Sequence, residues 1–119
     1  MTARIQSGSM DGYPLTLTSI IEHAEHFHGD RKVVSRRPSG AVTRTTLGSC
    51  ARRARQLAGA LAELGVGDGD PVATLLWNQS EHLELYFAIP AMGAVIHTLN
   101  PRLFPDELAY IVEDAQDKV

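Results

Sequence analysis

The sequence predicts an α/β fold: a leading β-hairpin, then a βαβ unit of parallel strands, together an incomplete part of a larger sheet. Three observations carry this expectation. Val72–Trp77 is nearly all apolar without alternation, the pattern of a parallel strand covered on both faces. A second apolar run, Ala94–Leu99, follows a stretch of helical periodicity, so the two strands should join by a right-handed crossover. Asp117–Val119 then reads as the lead-in to a further strand. Two parallel strands leave an edge and apolar helix faces uncovered. The 119 residues therefore read as the first part of a domain, not a finished small one.

Each element has its own signal. Residues 1–14, rich in Gly, Ser and Thr, read as a flexible arm, and residues 15–119 as the partial domain. Ile20, Ile21, Ala24 and Phe27 recur at helical spacing, with Thr18 or Ser19 as N-cap and Gly29-Asp30 as the stop. Lys32–Arg36 and Ala41–Thr46 are short β-like runs around the turn residues Pro38, Ser39 and Gly40, which predicts a hairpin. Leu47, Cys50, Ala51, Ala54, Leu57, Ala58, Leu61 and Leu64 then form one stripe of a long amphipathic helix. Gly65 stands where a left-handed residue ends it.

Past the first parallel strand, Asn78 with Glu81 resembles a capping box. Leu83, Tyr86, Phe87, Ile89 and Met92 give the following helix a buried face. Pro90 cannot donate to the carbonyl of Tyr86, so a kink or early termination is expected there. Pro105 at the first helical position, with Asp106 and Glu107 in the first turn, starts a last helix that runs to about Asp114.

Composition excludes several classes. Fourteen acids against 11 Lys+Arg give a net charge of −3, and apolar content is 44%, which disfavours disorder. The longest apolar stretch, Tyr86–Ile96, holds Pro90 and Gly93 and falls far short of the ~20 residues of a membrane span. Met1–Pro14 shows no apolar secretory core, and a single cysteine fits a reducing cytoplasm. Residues 31–62 hold eight of the bases and no acid. The block lacks aromatic residues for base stacking, so it reads as a sheet edge and a polar helix face, and no nucleic-acid partner is expected.

Candidate chemistry is sparse. Gly65–Asp70 is glycine-rich, but it follows a helix and precedes a strand, the reverse of a phosphate cradle, and Asp68 and Asp70 would repel phosphate. His23, His26 and His28 with Glu22 and Glu25 have metal-like composition, yet no matching ligand pair occurs, which favours an exposed helix face. Cys50 lies on the apolar stripe as a small core residue. Glu81 and Glu84 share a helix face, where capping and solvation account for both. No catalytic, cofactor-binding or metal-binding residue is assigned. Two segments do lie just past strand carboxyl ends, where open α/β sheets bind ligands: Trp77–Gln79 and His97–Arg102. Asn78 as a cap and Asn100-Pro101 as a turn are the favoured account of them.

The run Gly65–Asn78 and the run Glu84–Leu103 resemble the beginning of AMP-forming acyl-CoA synthetases, the adenylate-forming ligase superfamily. Pro105–Ala115 continues the likeness, which spans roughly residue 14 to the end. Trp77-Asn78 and His97–Leu103 look most like the medium- and long-chain fatty-acid–CoA ligase branch. One departure is Phe104, where the family usually places a polar cap; it stands as a candidate hydrophobic staple.

The resemblance implies the incomplete N-terminal part of such a ligase's large domain, truncated before the nucleotide-binding motifs. It implies an enzyme that activates a fatty acid with ATP and magnesium to an acyl-adenylate, which the thiol of coenzyme A then cleaves. The family's Ser/Thr/Gly-rich loop ending in Pro-Lys, its aromatic-Thr-Glu segment, its ribose-binding Asp and its late lysine have no counterpart here. The expectation is a cytoplasmic ligase fragment, inactive alone and able to self-associate through its uncovered sheet. The alternative is a non-enzymatic remnant acting as an interaction module on a full-length ligase.

Overall fold

Thr16 Oγ1 accepts a hydrogen bond from Ser19 N–H at 3.3 Å and starts the first helix, α1 (Leu17–His28), in the computed structural model. Residue 12 and residues 14–119 are described; most of the expected 1–14 arm lies outside the described residues. Thr18 and Ser19 thus sit inside the first turn instead of capping it, because the hydroxyl of Thr16 meets the third helical N–H. The hairpin follows as β1 (Lys32–Arg36) and β2 (Val42–Thr46), antiparallel in the register Lys32↔Thr46 to Arg36↔Val42. Thr46 closes β2 and also caps α2 (Leu47–Glu63), accepting from Ser49 N–H at 3.2 Å, so sheet passes into helix without a loop.

The end of α2 follows from glycine geometry. Gly65 has φ +87°, Gly65 N–H bonds to Ala62 O, and Val66 N–H bonds to Leu61 O at 3.0 Å. These two bonds form a Schellman motif, and its usual apolar contact is present, since Leu61 and Val66 share the core cluster. The Gly65–Asp70 segment is therefore a helix cap and tight turn. Gly67 N–H is held by the Asp70 carboxylate at 2.8 Å.

Next come β3 (Pro71–Thr74), α3 (Ser80–Ala91) and β4 (Val95–Thr98), with β3 and β4 parallel in the register Pro71↔Val95 to Thr74↔Thr98. Both strands are shorter than expected. The ladder ends where Leu99 N–H reaches Thr74 O at 2.9 Å, and Leu75–Trp77 leave the sheet, with Leu75 51% exposed. The helix α3 contains Pro90 and stops one residue past it. Gly93 at φ +83° completes a second Schellman motif through Ala94 N–H to Ile89 O.

The start of α3 differs from the sequence expectation. Gln79, not Asn78, occupies the N-cap position and makes no side-chain cap. Instead the Ser35 hydroxyl of β1 accepts from Ser80 N–H at 2.9 Å, so a capping group arrives from 45 residues away. The last helix, α4 (Pro105–Ala115), has half a capping box: Glu107 accepts from Phe104 N–H at 2.9 Å. Phe104 is 76% exposed, so the staple is not formed.

The core is Leu61, Val66, Val72, Ile89 and Ala94, flanked by Leu85, Met92 and Ile96. It lies between α2, α3 and the face of the parallel sheet that carries Val72 and Thr74. The opposite face is less covered than a two-sided strand predicts: Ala73 and His97 are half-buried and Val95 is exposed. The segment expected to lead into a further strand lies beside β3, though no strand is formed over Asp117–Val119. Lys118 N–H bonds to Pro71 O at 2.9 Å and Ala73 N–H to Val119 O at 2.7 Å, on the edge of β3 opposite β4. β3 is thus flanked by β4 on one edge and by the backbone of Lys118 and Val119 on the other.

Candidate functional site

The chain leaves β3 at Thr74 and β4 at Thr98 on the same side of the sheet, which brings the two flagged segments together. Leu76, Trp77 and Asn78 face Thr98–Arg102 across a groove of about 350 Å³, and His82 and Tyr86 from α3 form its floor. The Arg102 guanidinium lies 5.5 Å from the centroid of the Trp77 ring. The turn behind it is fixed by Arg102 N–H donating to Asn100 Oδ1 at 3.0 Å. Asn100-Pro101 does make the expected turn, but Asn78 is free of capping duty and lines the groove.

Two members of the flagged segments lie elsewhere. Gln79 faces a neighbouring groove of about 350 Å³ between the hairpin and α3, which also reaches Asn78, His82 and Tyr86. His97 bonds through Nδ1 to the carboxylate of Asp117 at 2.8 Å. The Asp117 side chain is almost fully buried, and this pair ties β4 to the segment on the far edge of β3.

Sequence reasoning missed His82. It is 4% exposed, with Nε2 3.0 Å from Thr74 Oγ1 and no partner for Nδ1. Its ring lies 4.8 Å from that of Tyr86. The available signal was the four-residue spacing of His82 and Tyr86, one turn into a helix that follows a strand end.

The solvation reading of Glu84 is overturned. Glu84 is 2% exposed, and both its oxygens accept from Arg53 Nε–H, at 2.8 and 2.9 Å. This charge-assisted hydrogen bond raises the pKa of Arg53 and pins α2 to α3. Glu81 pairs with Arg37 and takes the Ser80 hydroxyl at 3.0 Å. Its own backbone N–H is the largest cause that holds its carboxyl below the ordinary value. Arg55 pairs with Glu25 at 2.6 Å, so three arginines of the basic block are spent on internal ion pairs.

Cys50 is 1% exposed, and burial pushes its thiol pKa up, which makes it a packing residue. His23 and His26 lie against Phe27, with ring centroids 4.7 and 4.6 Å away. Among the described residues no group of three His, Cys, Asp or Glu is placed to hold a metal ion. No helix among them is long and apolar enough to cross a membrane.

Comparison with known proteins gives these features a context. A family described as AMP-binding enzyme matches residues 21–119. The long-chain-fatty-acid–CoA ligase of Thermus thermophilus is 54% identical over 105 residues, which is 88% of this chain and 19% of that protein. The 3-methylmercaptopropionyl-CoA ligase of Ruegeria lacuscaerulensis is 46% identical over 112 residues, 94% of this chain and 21% of that one. Among solved structures, the fatty acyl CoA synthetase of Mycobacterium tuberculosis superposes with a TM-score of 0.74 at 26% identity. That match covers 86% of this chain and 20% of the synthetase. The chain thus spans about a fifth of the length of the curated relatives it matches. With the family model matching residues 21–119 and the fold shared at a TM-score of 0.74, the chain belongs to the AMP-binding enzyme family.

Proposed function

We propose that this chain is part of an ATP-dependent fatty-acid–CoA ligase, which forms an acyl-adenylate and then transfers the acyl group to coenzyme A. The observation that carries this reading is the 54% identity to the Thermus thermophilus long-chain-fatty-acid–CoA ligase across 88% of the chain. Fatty acid, ATP and coenzyme A are the proposed substrates of the whole enzyme, with magnesium as its metal. The cytoplasm is the proposed compartment, which suits a buried free thiol at Cys50.

This chain's own residues do not fit magnesium or a triphosphate. The glycine-rich turn closes on its own Asp70 carboxylate, and Ser35 occupies the first N–H of α3. In the proposed ligase these residues build scaffold: α2 and α3 buttress the sheet, and the strand ends present the groove. No residue of the chain is assigned to the reacting atoms, so the chain alone should not adenylate a fatty acid. ATP–pyrophosphate exchange by the purified chain with medium- and long-chain fatty acids tests this. Exchange at the background rate is expected, and fatty-acid-dependent exchange above it would refute the assignment.

A further inference from the structure

We infer that the outer face of the β1–β2 hairpin is a docking surface for an acidic peptide segment in extended conformation. The inference concerns this chain's own hairpin and does not rest on the ligase reading.

The pleat sorts the hairpin into two faces. Alternate residues of a strand point to opposite sides, so in the observed register Lys32, Val34 and Arg36 of β1 share a side with Val42, Arg44 and Thr46 of β2. The other side carries the buried Ser35, whose hydroxyl meets Ser80 N–H, and is therefore turned toward α3. On the outer side Val34 is 60% and Val42 48% exposed, and Lys32, Arg36 and Arg44 are exposed as well.

This face is charged and its charge is unspent. Among the described residues none of Lys32, Arg36 and Arg44 has a carboxylate within ion-pair distance, whereas Arg37, Arg53 and Arg55 of the same block each have one. Residues 31–62 contain no acid that could serve. The register sets Arg44 opposite Val34 and Val42 opposite Arg36, so cations and valines alternate along and across the ribbon. Along β1 the order is cation, valine, cation, at steps of about 7 Å. An extended peptide has the same repeat, so acid, apolar residue and acid at its alternate positions meet Lys32, Val34 and Arg36 in turn. A nucleic acid fits less well, because its phosphates leave the valines uncovered and the face offers no aromatic ring to its bases. An anionic bilayer is opposed by the net charge of −3 and by the lack of a Trp, Phe or Leu on the face.

The probe is a blocked peptide of three Glu-Ser-Val-Ser repeats, titrated into the ¹⁵N-labelled chain. At about 20 mM salt it should shift the amide signals of residues 32–36 and 42–46 saturably, with a dissociation constant on the order of 1 mM. Salt at about 150 mM should weaken binding at least threefold. Serine in place of valine in the peptide should weaken it about threefold, and lysine in place of glutamate should abolish it. Arg44→Gln should weaken it about threefold, whereas Arg52→Gln, the same loss of charge on exposed α2 surface, should leave the curve unchanged. Unaltered amide signals outside the substituted site verify both folds. An absent or unsaturable shift would overturn the inference. So would equal binding of the serine-substituted peptide, equal weakening by Arg44→Gln and Arg52→Gln, or tighter binding to a DNA duplex or to phosphatidylglycerol vesicles than to the peptide.

Discussion

Replacing Arg53 by alanine should destabilise the chain more than its half-exposed position on α2 implies. Glu84 is 2% exposed, and its two oxygens both rest on the Arg53 Nε–H. Without Arg53 a carboxylate remains in the α2–α3 interface with no counter-ion. Breaking a buried pair from one side costs about 3–5 kcal/mol. The Arg53 side chain is itself 56% exposed, so water can follow into the space it leaves. The lower end, about 3 kcal/mol, is therefore the expected value. A chain of this length holds roughly 6–18 kcal/mol in total, so the loss is large. Glu84→Gln keeps the shape and one acceptor and should cost about 1–1.5 kcal/mol. The double replacement Arg53→Met with Glu84→Leu should recover most of the loss, since a well-packed apolar pair often equals a buried ion pair. Urea unfolding followed by Trp77 fluorescence and far-UV circular dichroism measures all three. A cost for Arg53→Ala below about 1 kcal/mol would show that Glu84 is solvated in solution and would refute the reasoning.

Other consequences are equally open to measurement. Ser35→Ala removes the cap that β1 lends to α3 and should cost about 1 kcal/mol. Amide exchange at Ser80–Leu83 should speed up in that variant while α2 is unaffected, and unchanged exchange there would contradict the cross-element cap. Acid should destabilise the chain in a predictable direction. Arg55 holds Glu25 below the ordinary carboxylate pKa, Lys118 and then Gly67 N–H do so for Asp70, and Glu81 is lowered first by its own N–H. Carboxylates depressed in the folded state contribute stability above their unfolded pKa of about 4 and lose it as pH falls through their lowered folded values. The urea midpoint should thus fall below about pH 4 and not rise. Cys50 should resist a thiol reagent in the native chain and react fully in urea; prompt native reaction would contradict its burial.

Local chemistry made much of this fold legible in advance. Gly65 and Gly93 end their helices because only a residue tolerant of positive φ closes a Schellman motif there, and each lies beside a run of clear periodicity. The Leu/Ala stripe of α2 was readable because its apolar positions recur at helical spacing. What escaped were pairings between distant positions. Ser35 in a short hairpin strand carries no local mark of capping a helix 45 residues later. Glu84 looks like a solvated helix acid until α2 brings Arg53 against it. The groove was half legible: the position beyond the strand ends pointed to Trp77 and Arg102. The buried His82 beneath them emerged only once Thr74 and α3 were packed together.

The ligase assignment is tested most directly by transplantation. The matching segment of the Thermus thermophilus long-chain-fatty-acid–CoA ligase, 105 residues long, is replaced by the corresponding residues of this chain. The folded chimera is then assayed for acyl-CoA by mass spectrometry with ATP, magnesium, coenzyme A and a long-chain fatty acid. The proposed function predicts that fatty acyl-CoA forms, because it assigns the exchanged residues to scaffold and groove and none of them to the reacting atoms. A folded chimera that forms neither acyl-adenylate nor acyl-CoA would contradict it.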